Sequence, residues 1–533
     1  MNNFRSGILH SLRFIRFSRF LWPQKTLGKS SILVELNSMR SSHIAYSYLA
    51  NQLSAEREAS LIGFKPYSSK VPFPRALRGL AWRIRHPMRM AIYSALGVKK
   101  TISPSINRSR LDEAAVVVHS LFGSNPTKGD VEELRVRGVL IGDLVYDSYL
   151  RTKSLPTIDP GSRSFRRFLK KFVLDTLFWL DYIEPERVAA VVVSHTVYGN
   201  AILIRVAASR SIPAFQAKAE SAYRLDSREF FAYKEFKDFP RVFRSLDTRT
   251  QNIGREQARK RLSLRFEGAV GVDMHYSTAS AYTARKSQRL LARSDATKVL
   301  VATHCFFDSP HAYGMNLFPD FWEWLNFLGE ISERTSYEWY LKTHRDFLPG
   351  NIPILNYFTE KYPRFSLLPT ESSHHQIIEE GIDVVLTVFG TIGFEYPYLG
   401  VPVINASVNN PHIAYSFNYH PSSLESYEEL LLDIPNLQKP GERERREIEE
   451  FYFMKHLLHG GDLFFRNWEL LLEKIGGYKA QFTPLIYQEF LDQWTPERHQ
   501  EILSRLSSFI QSEDYLITGE TKLRIRSTEG GNG

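Results

Sequence analysis

The chain has 533 residues, 43% hydrophobic and 24% charged, which is the balance of a globular protein long enough for roughly three or four folding units. This excludes a small stapled domain and a wholly disordered or fibrous chain. The one cysteine, Cys305, excludes an internal disulfide and a cysteine-rich zinc site and fits a reducing compartment such as the cytosol.

The net charge of +10 is unevenly spread. Residues 1–34 and 59–111 hold seventeen Lys and Arg and no acid, so the rest of the chain sums to −7. A segregated basic region suits anionic lipid, nucleic acid or a polyanionic substrate. No RNA- or DNA-binding motif accompanies it, so nucleic acid is not an expected partner. No uninterrupted apolar run approaches the roughly 18 residues that a membrane-spanning helix needs.

In chain order, residues 1–30 read as a basic amphipathic segment. On a helical wheel Phe4, Ile8, Phe14, Ile15, Phe17 and Leu21 share one half, and Arg5, Arg13, Arg16 and Arg19 the other, with Leu9, Leu12 and Phe20 off the pattern. Such a helix lies on an anionic membrane surface with Trp22 at the headgroup level, or packs on the protein's own core. Residues 31–222 then alternate short apolar runs with helical patterns. Strands are expected at 32–36, 61–64, 114–118, 139–141, 188–193 and 212–215, helices at 43–58, 165–182 and 199–209, and a basic insertion at 65–110.

Residues 223–295 show no strand rhythm and read as a connecting region. A second alternating series, 296–435, has strands expected at 298–302, 337–342, 365–368, 384–388 and 401–404, with Gly381 and Gly400 where helix ends are expected. Residues 436–520 read as helical and 521–533 as a disordered tail. Short β-branched strands separated by helices predict an α/β fold: two Rossmann-like, doubly wound domains facing a cleft. In such sheets ligands bind outside the carboxyl ends of the strands.

The most informative stretch is 383–405. A strand leads into Phe389-Gly390-Thr391-Ile392-Gly393-Phe394-Glu395, a helix follows, and then Gly400-Val401-Pro402-Val403. Two glycines and a threonine at a strand-to-helix turn let backbone N–H groups approach a phosphate, and Glu395 can accept from a ribose or sugar hydroxyl. The same residues also serve an ordinary tight turn. Lys342 and His344 follow another strand and suit a phosphate, while Thr303, His304 and Asp308 follow the first strand of this series and can line the same cleft. His374-His375 reads as a helix start and Cys305 as a small buried residue.

In the first series, Asp143 and Asp147 lie just after a strand, where a carboxylate can deprotonate an acceptor or act as a nucleophile. They equally suit a helix cap and an Asp147–Arg151 pair. His195, Tyr198 and Asn200 follow another strand at the same edge, with His195 a candidate base.

The segment 387–403 resembles the donor-site segment of two-Rossmann, GT-B-type glycosyltransferases, most of all those of bacterial capsule and surface-polysaccharide biosynthesis. The resemblance implies that Gly390, Thr391, Gly393 and Glu395 lie against a nucleotide or sugar. The family's Lys-Pro-His-Pro motif is represented by Lys342-Thr343-His344-Arg345, without either proline. It implies a glycosyltransferase moving a sugar from a nucleotide-activated donor, CMP-Kdo or a nucleoside-diphosphate sugar, to a surface-polysaccharide or lipid-linked acceptor. Alternatives on the same fold are a nucleotide-sugar epimerase and a non-catalytic assembly or export factor. The chain contains no Asp-x-Asp and no phosphate-binding Gly-x-x-x-x-Gly-Lys-Ser/Thr loop, so neither a catalytic metal nor a cofactor is expected. The expected location is the cytoplasm, peripheral on the inner face of the plasma membrane.

Overall fold

The computed structural model describes residues 2–22, 28–65, 86–123, 125–274, 277, 279–283, 288–344, 349–458 and 462–519. Arg345, residues 66–85 of the basic insertion and the tail from 520 onward lie outside the described residues.

Fourteen strands occur among these residues. In the first half they are β1 (Ser31–Glu35), β2 (Ser60–Phe64), β3 (Lys100–Ile102), β4 (Arg135–Val136), β5 (Val139–Leu140), β6 (Val188–Val193), β7 (Ala214–Ala217) and β8 (Ser221–Leu225). The second half adds β9 (Lys298–Ala302), β10 (Glu338–Lys342), β11 (Phe365–Leu367), β12 (Val384–Thr387), β13 (Val403–Asn405) and β14 (Leu516–Thr518).

The first sheet runs β14-β8-β7-β6-β1-β2-β3 and the second β11-β10-β9-β12-β13. The five parallel strands of each follow the order third, second, first, fourth, fifth, which is the Rossmann order with its crevice where the order reverses. The fold is therefore α/β with two Rossmann-like domains. Both sheets are covered on both faces, which is why their strands are continuously apolar. In β1, Ile32 and Val34 join the core under the helix Arg40–Glu56, while Leu33 joins the core under Arg163–Tyr182. In β9, Val299 and Val301 face one core and Leu300 the other.

Several elements differ from the sequence reading. Residues 114–118 belong to the helix Arg108–Phe122, capped by Asn107 accepting from the Arg110 N–H. Ala114 and Val118 are buried four residues apart while Val116 is 68% exposed, so the period is helical. Residues 139–141 give only the short β5, paired with β4 in a separate hairpin. The basic insertion contains the helix Pro87–Ala95 and β3, a third strand at the edge of the parallel set whose three residues carry no apolar run. The sheet extends past 222 through β8, which is antiparallel to β7. The chain end then returns, and β14 pairs with β8.

The helix Asn2–Leu21 is packed on the protein's own core. Phe14 stacks on Tyr487 with ring centroids 4.4 Å apart, and Phe17 meets Phe490 and Trp494 edge-on. Phe14, Ile15 and Phe17 of the half read as membrane-facing thus join the core that includes the carboxyl-terminal helix Leu485–Gln493. Leu9, Leu12 and Phe20, which broke the wheel pattern, are the exposed apolar residues at 48%, 49% and 78%. Among the described residues no helix is long and apolar enough to cross a membrane.

Candidate functional site

A cavity of about 270 Å³ opens at the carboxyl ends of β9, β10 and β12, the crevice position of the second sheet. Its walls include Thr303, His304, Asp308, Lys342 and His344, together with Gly390, Thr391 and Glu395 from the turn after β12. Arg265, Ser280 and Tyr282 of the connecting region close the remaining side. Cys305 also lines it, half-buried, and receives a hydrogen bond from Asn351 at 3.6 Å.

The turn after β12 leads into the helix Ile392–Tyr398. Gly390 N–H donates to Thr387 Oγ1 at 3.3 Å, and Gly393 N–H to the Gly390 carbonyl at 2.9 Å. The N–H groups of Thr391 and Ile392 meet no acceptor among the described residues, so an anion in the cavity has two backbone donors beside it. Gly393 does not line the cavity. A Cβ there would stand 2.5 Å from His412 Cε1, so this glycine permits close packing behind the turn.

Glu395 is committed to its neighbours. Its Oε1 accepts from Arg265 Nε at 2.9 Å and its Oε2 from the Tyr282 hydroxyl at 2.8 Å. The carboxylate is buried, so its first role is to hold the connecting region against the turn. Lys342 is also buried and donates to the Thr370 carbonyl at 3.0 Å, whereas His344 is exposed at the cavity mouth.

His304 has a defined tautomer. Its Nε2 accepts from the N–H groups of Val388 at 3.2 Å and Phe389 at 3.4 Å, which puts the ring hydrogen on Nδ1. Burial, then the nearby His344, push its pKa down to about 3, so the ring stays neutral. It stacks on Phe321 at 4.7 Å. His374, which begins the helix His374–Glu379, also lines the cavity and bonds the Tyr396 hydroxyl at 2.8 Å. Burial, then Lys342 and His344, hold it well below the ordinary imidazole value.

The first domain meets this cavity through Asp308, whose Oδ1 accepts from the Tyr198 hydroxyl at 2.6 Å. His195 lies nearby, its Nδ1 at 2.7 Å from Ser194 Oγ. Burial lowers its pKa to about 4, with Lys218 adding to the shift and Asp308 opposing it. Asn200 donates to Glu35 Oε1 at 3.0 Å, and Glu35 Oε2 accepts from Ser194 N–H at 2.6 Å and Ser194 Oγ at 2.8 Å. Glu35, the last residue of β1, thereby ties the loop after β6 to the sheet edge; burial raises its pKa.

Asp143 and Asp147 do not line the cavity. Asp143 is a buried ion pair with Arg205, which also lies 3.9 Å from the Phe230 ring centroid. Asp147 accepts from His311 Nδ1 at 2.6 Å, while His311 Nε2 faces Glu132 at 2.8 Å. His311 comes from the loop after β9, so this buried triad is a clamp between domains. Asp320 extends the clamp, accepting from Tyr146 at 2.5 Å and from Thr157 at 2.6 Å.

Sequence reasoning missed Arg265, Tyr282, Glu35 and His311. The first two lie where no strand rhythm marks a site, and Glu35 reads as the polar end of an apolar run. Among the described residues, no group of three His, Cys, Asp or Glu side chains is placed to hold a metal ion.

No family model matches the chain, and no curated protein matches it. Among solved structures it is similar to the UDP-GlcNAc 2-epimerase from Neisseria meningitidis bound to UDP-GlcNAc, at 11% identity, 79% of this chain, 95% of that one and a TM-score of 0.21. It is similar to a glycosyltransferase from Rickettsia africae at 11% identity, 88% of this chain, 100% of that one and a TM-score of 0.22. The wall teichoic acid polymerase TagF matches at 12% identity, 96% of this chain, 98% of that one and a TM-score of 0.20. At such TM-scores the fold rests on the strand order, and nothing about activity is taken from these likenesses.

Proposed function

We propose that the protein is a glycosyltransferase that takes a sugar from a nucleotide-activated donor, CMP-Kdo or a nucleoside-diphosphate sugar, bound in the cavity of the second domain. The observation that carries this reading is the convergence of Lys342, His344, Arg265 and the N–H groups of Thr391 and Ile392 on a cavity at the crevice of a Rossmann sheet. Cations and backbone donors offset the charge of a leaving phosphate without a metal. His304 Nδ1–H adds a neutral donor.

In the reaction an acceptor hydroxyl oxygen bonds to the donor's anomeric carbon. The bond from that carbon to the phosphate oxygen breaks, and its electron pair leaves with the nucleotide. The acceptor proton passes to Asp308, the exposed carboxylate on the cavity wall that faces the first domain. The nucleotide-sugar is a substrate, and the mechanism uses no cofactor.

The acceptor belongs to a surface polysaccharide or a lipid-linked precursor, and the protein works at the inner face of the plasma membrane. Supporting this placement, Leu9, Leu12 and Phe20 alternate with exposed Arg13, Arg16 and Arg19 along the uncovered face of the first helix, at the spacing of one helical stripe.

The test is thermal stability against CMP-, UDP-, GDP- and dTDP-linked sugars, since a ligand of the folded state raises the melting temperature. One nucleotide class is expected to raise it. No shift with any of them overturns the reading.

A further inference from the structure

A second, larger cavity of about 420 Å³ is lined by residues from both domains, the connecting region and the returning chain end. Thr391 is on the wall of both cavities, so this space adjoins the donor turn itself. Its ring surfaces are Tyr223, Tyr233, Tyr313, Trp468, Phe236 and Phe239. Its acids are Glu220, Glu235, Asp273, Asp462 and Glu469, against Lys455 as the cation on its wall.

We infer that this second cavity holds the body of the acceptor, whose reacting hydroxyl reaches past Thr391 into the first cavity, and that the acceptor is an uncharged or amino-bearing sugar chain, not a polyanionic one. The inference rests on the first cavity being the donor site. Carboxylates only accept hydrogen bonds, so a wall rich in them suits hydroxyl and ammonium hydrogens and repels phosphate or carboxylate groups. Rings with polar groups between them provide the apolar and hydrogen-bonding surface that a pyranose presents in return. Glu235 Oε1 accepts from the Tyr223 hydroxyl at 3.1 Å, which fixes that carboxyl against a ring of the wall. Asp273 is held by Arg261 and Tyr452 and is the fixed end of the wall.

The charge separation gives the arrangement its sense. The basic stripe of the first helix faces outward from the core, while the cavity beside Thr391 is acidic. An anionic surface is therefore attracted to the outside of the molecule and excluded from the site of transfer. Affinity for polyanions is assigned to the membrane face alone.

The experiment is ligand-observed saturation-transfer NMR on the full chain with three probes: chitobiose as the uncharged sugar, the glucosamine disaccharide as the amino sugar, and glycerol 3-phosphate as the anion. Two variants accompany it. Thr518→Trp fills the cavity from a half-buried position on β14, and Glu469→Lys reverses one wall charge. The expected result is signal from one or both sugars, none from glycerol 3-phosphate, and at least tenfold weaker sugar binding in both variants with nucleotide binding unchanged. Sugar binding unaffected by both variants overturns the inference, as does preferential binding of glycerol 3-phosphate or the absence of sugar binding in a protein that binds nucleotide. Sugar binding lost in the variants of a protein that binds no nucleotide leaves the cavity a sugar site and removes the transferase reading.

Discussion

The hydroxyl of Tyr198, at the carboxyl edge of the first sheet, donates to Asp308 Oδ1 of the second domain across 2.6 Å. Tyr198 takes a positive φ of 57°, a conformation uncommon outside glycine, to make that bond. Strain of this kind persists where the surrounding structure enforces it, and here it accompanies the hydrogen bond that orients the carboxylate proposed as the base.

Asp308→Asn is expected to keep nucleotide binding and lose turnover by about 100-fold or more, the typical contribution of a positioned base. Tyr198→Phe removes one hydrogen bond to Asp308 Oδ1, leaves the one from the Ser309 N–H, and lowers turnover less, with a changed pH profile. Initial rates beside calorimetric binding of the donor nucleotide check both. Full turnover in Asp308→Asn removes this residue from the mechanism.

Glu395→Ala is expected to destabilise the fold before it informs on binding. Removing one partner of a buried ion pair costs about 3–5 kcal/mol, and here Arg265 would be left facing the turn without its carboxylate. Chemical denaturation measures the loss. A variant as stable as the parent would show that the pair is dispensable for packing.

The His311 clamp makes stability depend on pH. Burial lowers the His311 pKa, but Asp147 and Glu132 outweigh it and hold the group well above 6.5, while burial raises Asp147 to about 6. Both groups bind protons more tightly folded than unfolded. Their contribution is therefore fullest at low pH, with the Asp147 part lost from 3.8 to about 6 and the His311 part lost as pH rises from 6.5 through its folded value. His311→Gln should cost about 3 kcal/mol at pH 6 and less at pH 9.5. Melting curves across that range check it, and a pH-independent loss contradicts the protonated clamp.

The outer stripe of the first helix is expected to bind vesicles containing anionic lipid. Leu9→Ser, Leu12→Ser and Phe20→Ser combined should abolish cosedimentation without lowering the melting temperature, because all three are exposed. Phe14→Ala should instead destabilise by about 3–5 kcal/mol, since its ring is stacked in the core. Unchanged cosedimentation of the triple variant would take the membrane contact elsewhere.

Much of the fold is legible because parallel strands buried on both faces leave apolar runs: β6 and β9 match their runs to the residue, and β10 and β12 to within one. The two short edge strands, β3 and β14, are not legible, because three residues at a sheet margin need no apolar run. Ala114–Val118 reads as a strand because Val116, Val117 and Val118 form a β-branched run, although that run wraps around the helix Arg108–Phe122 with only Ala114 and Val118 buried. At the site, Lys342 and His304 are visible as polar residues at the ends of apolar runs, and Gly390 as part of a glycine-containing strand-to-helix turn. The commitments of Glu395 to Arg265 and of Asp147 to His311 are not, since each joins residues more than a hundred positions apart.

Calorimetric titration of the protein and of His344→Ala with the free nucleotide of the responsive class decides whether this cavity is a nucleotide site. His344 is exposed at the cavity mouth, so its loss leaves the fold intact. Binding to the parent and a fall of about tenfold in the variant, roughly 1.4 kcal/mol, are expected. Equal binding by both would place the nucleotide elsewhere, and no binding by the parent would contradict a donor site in this cavity.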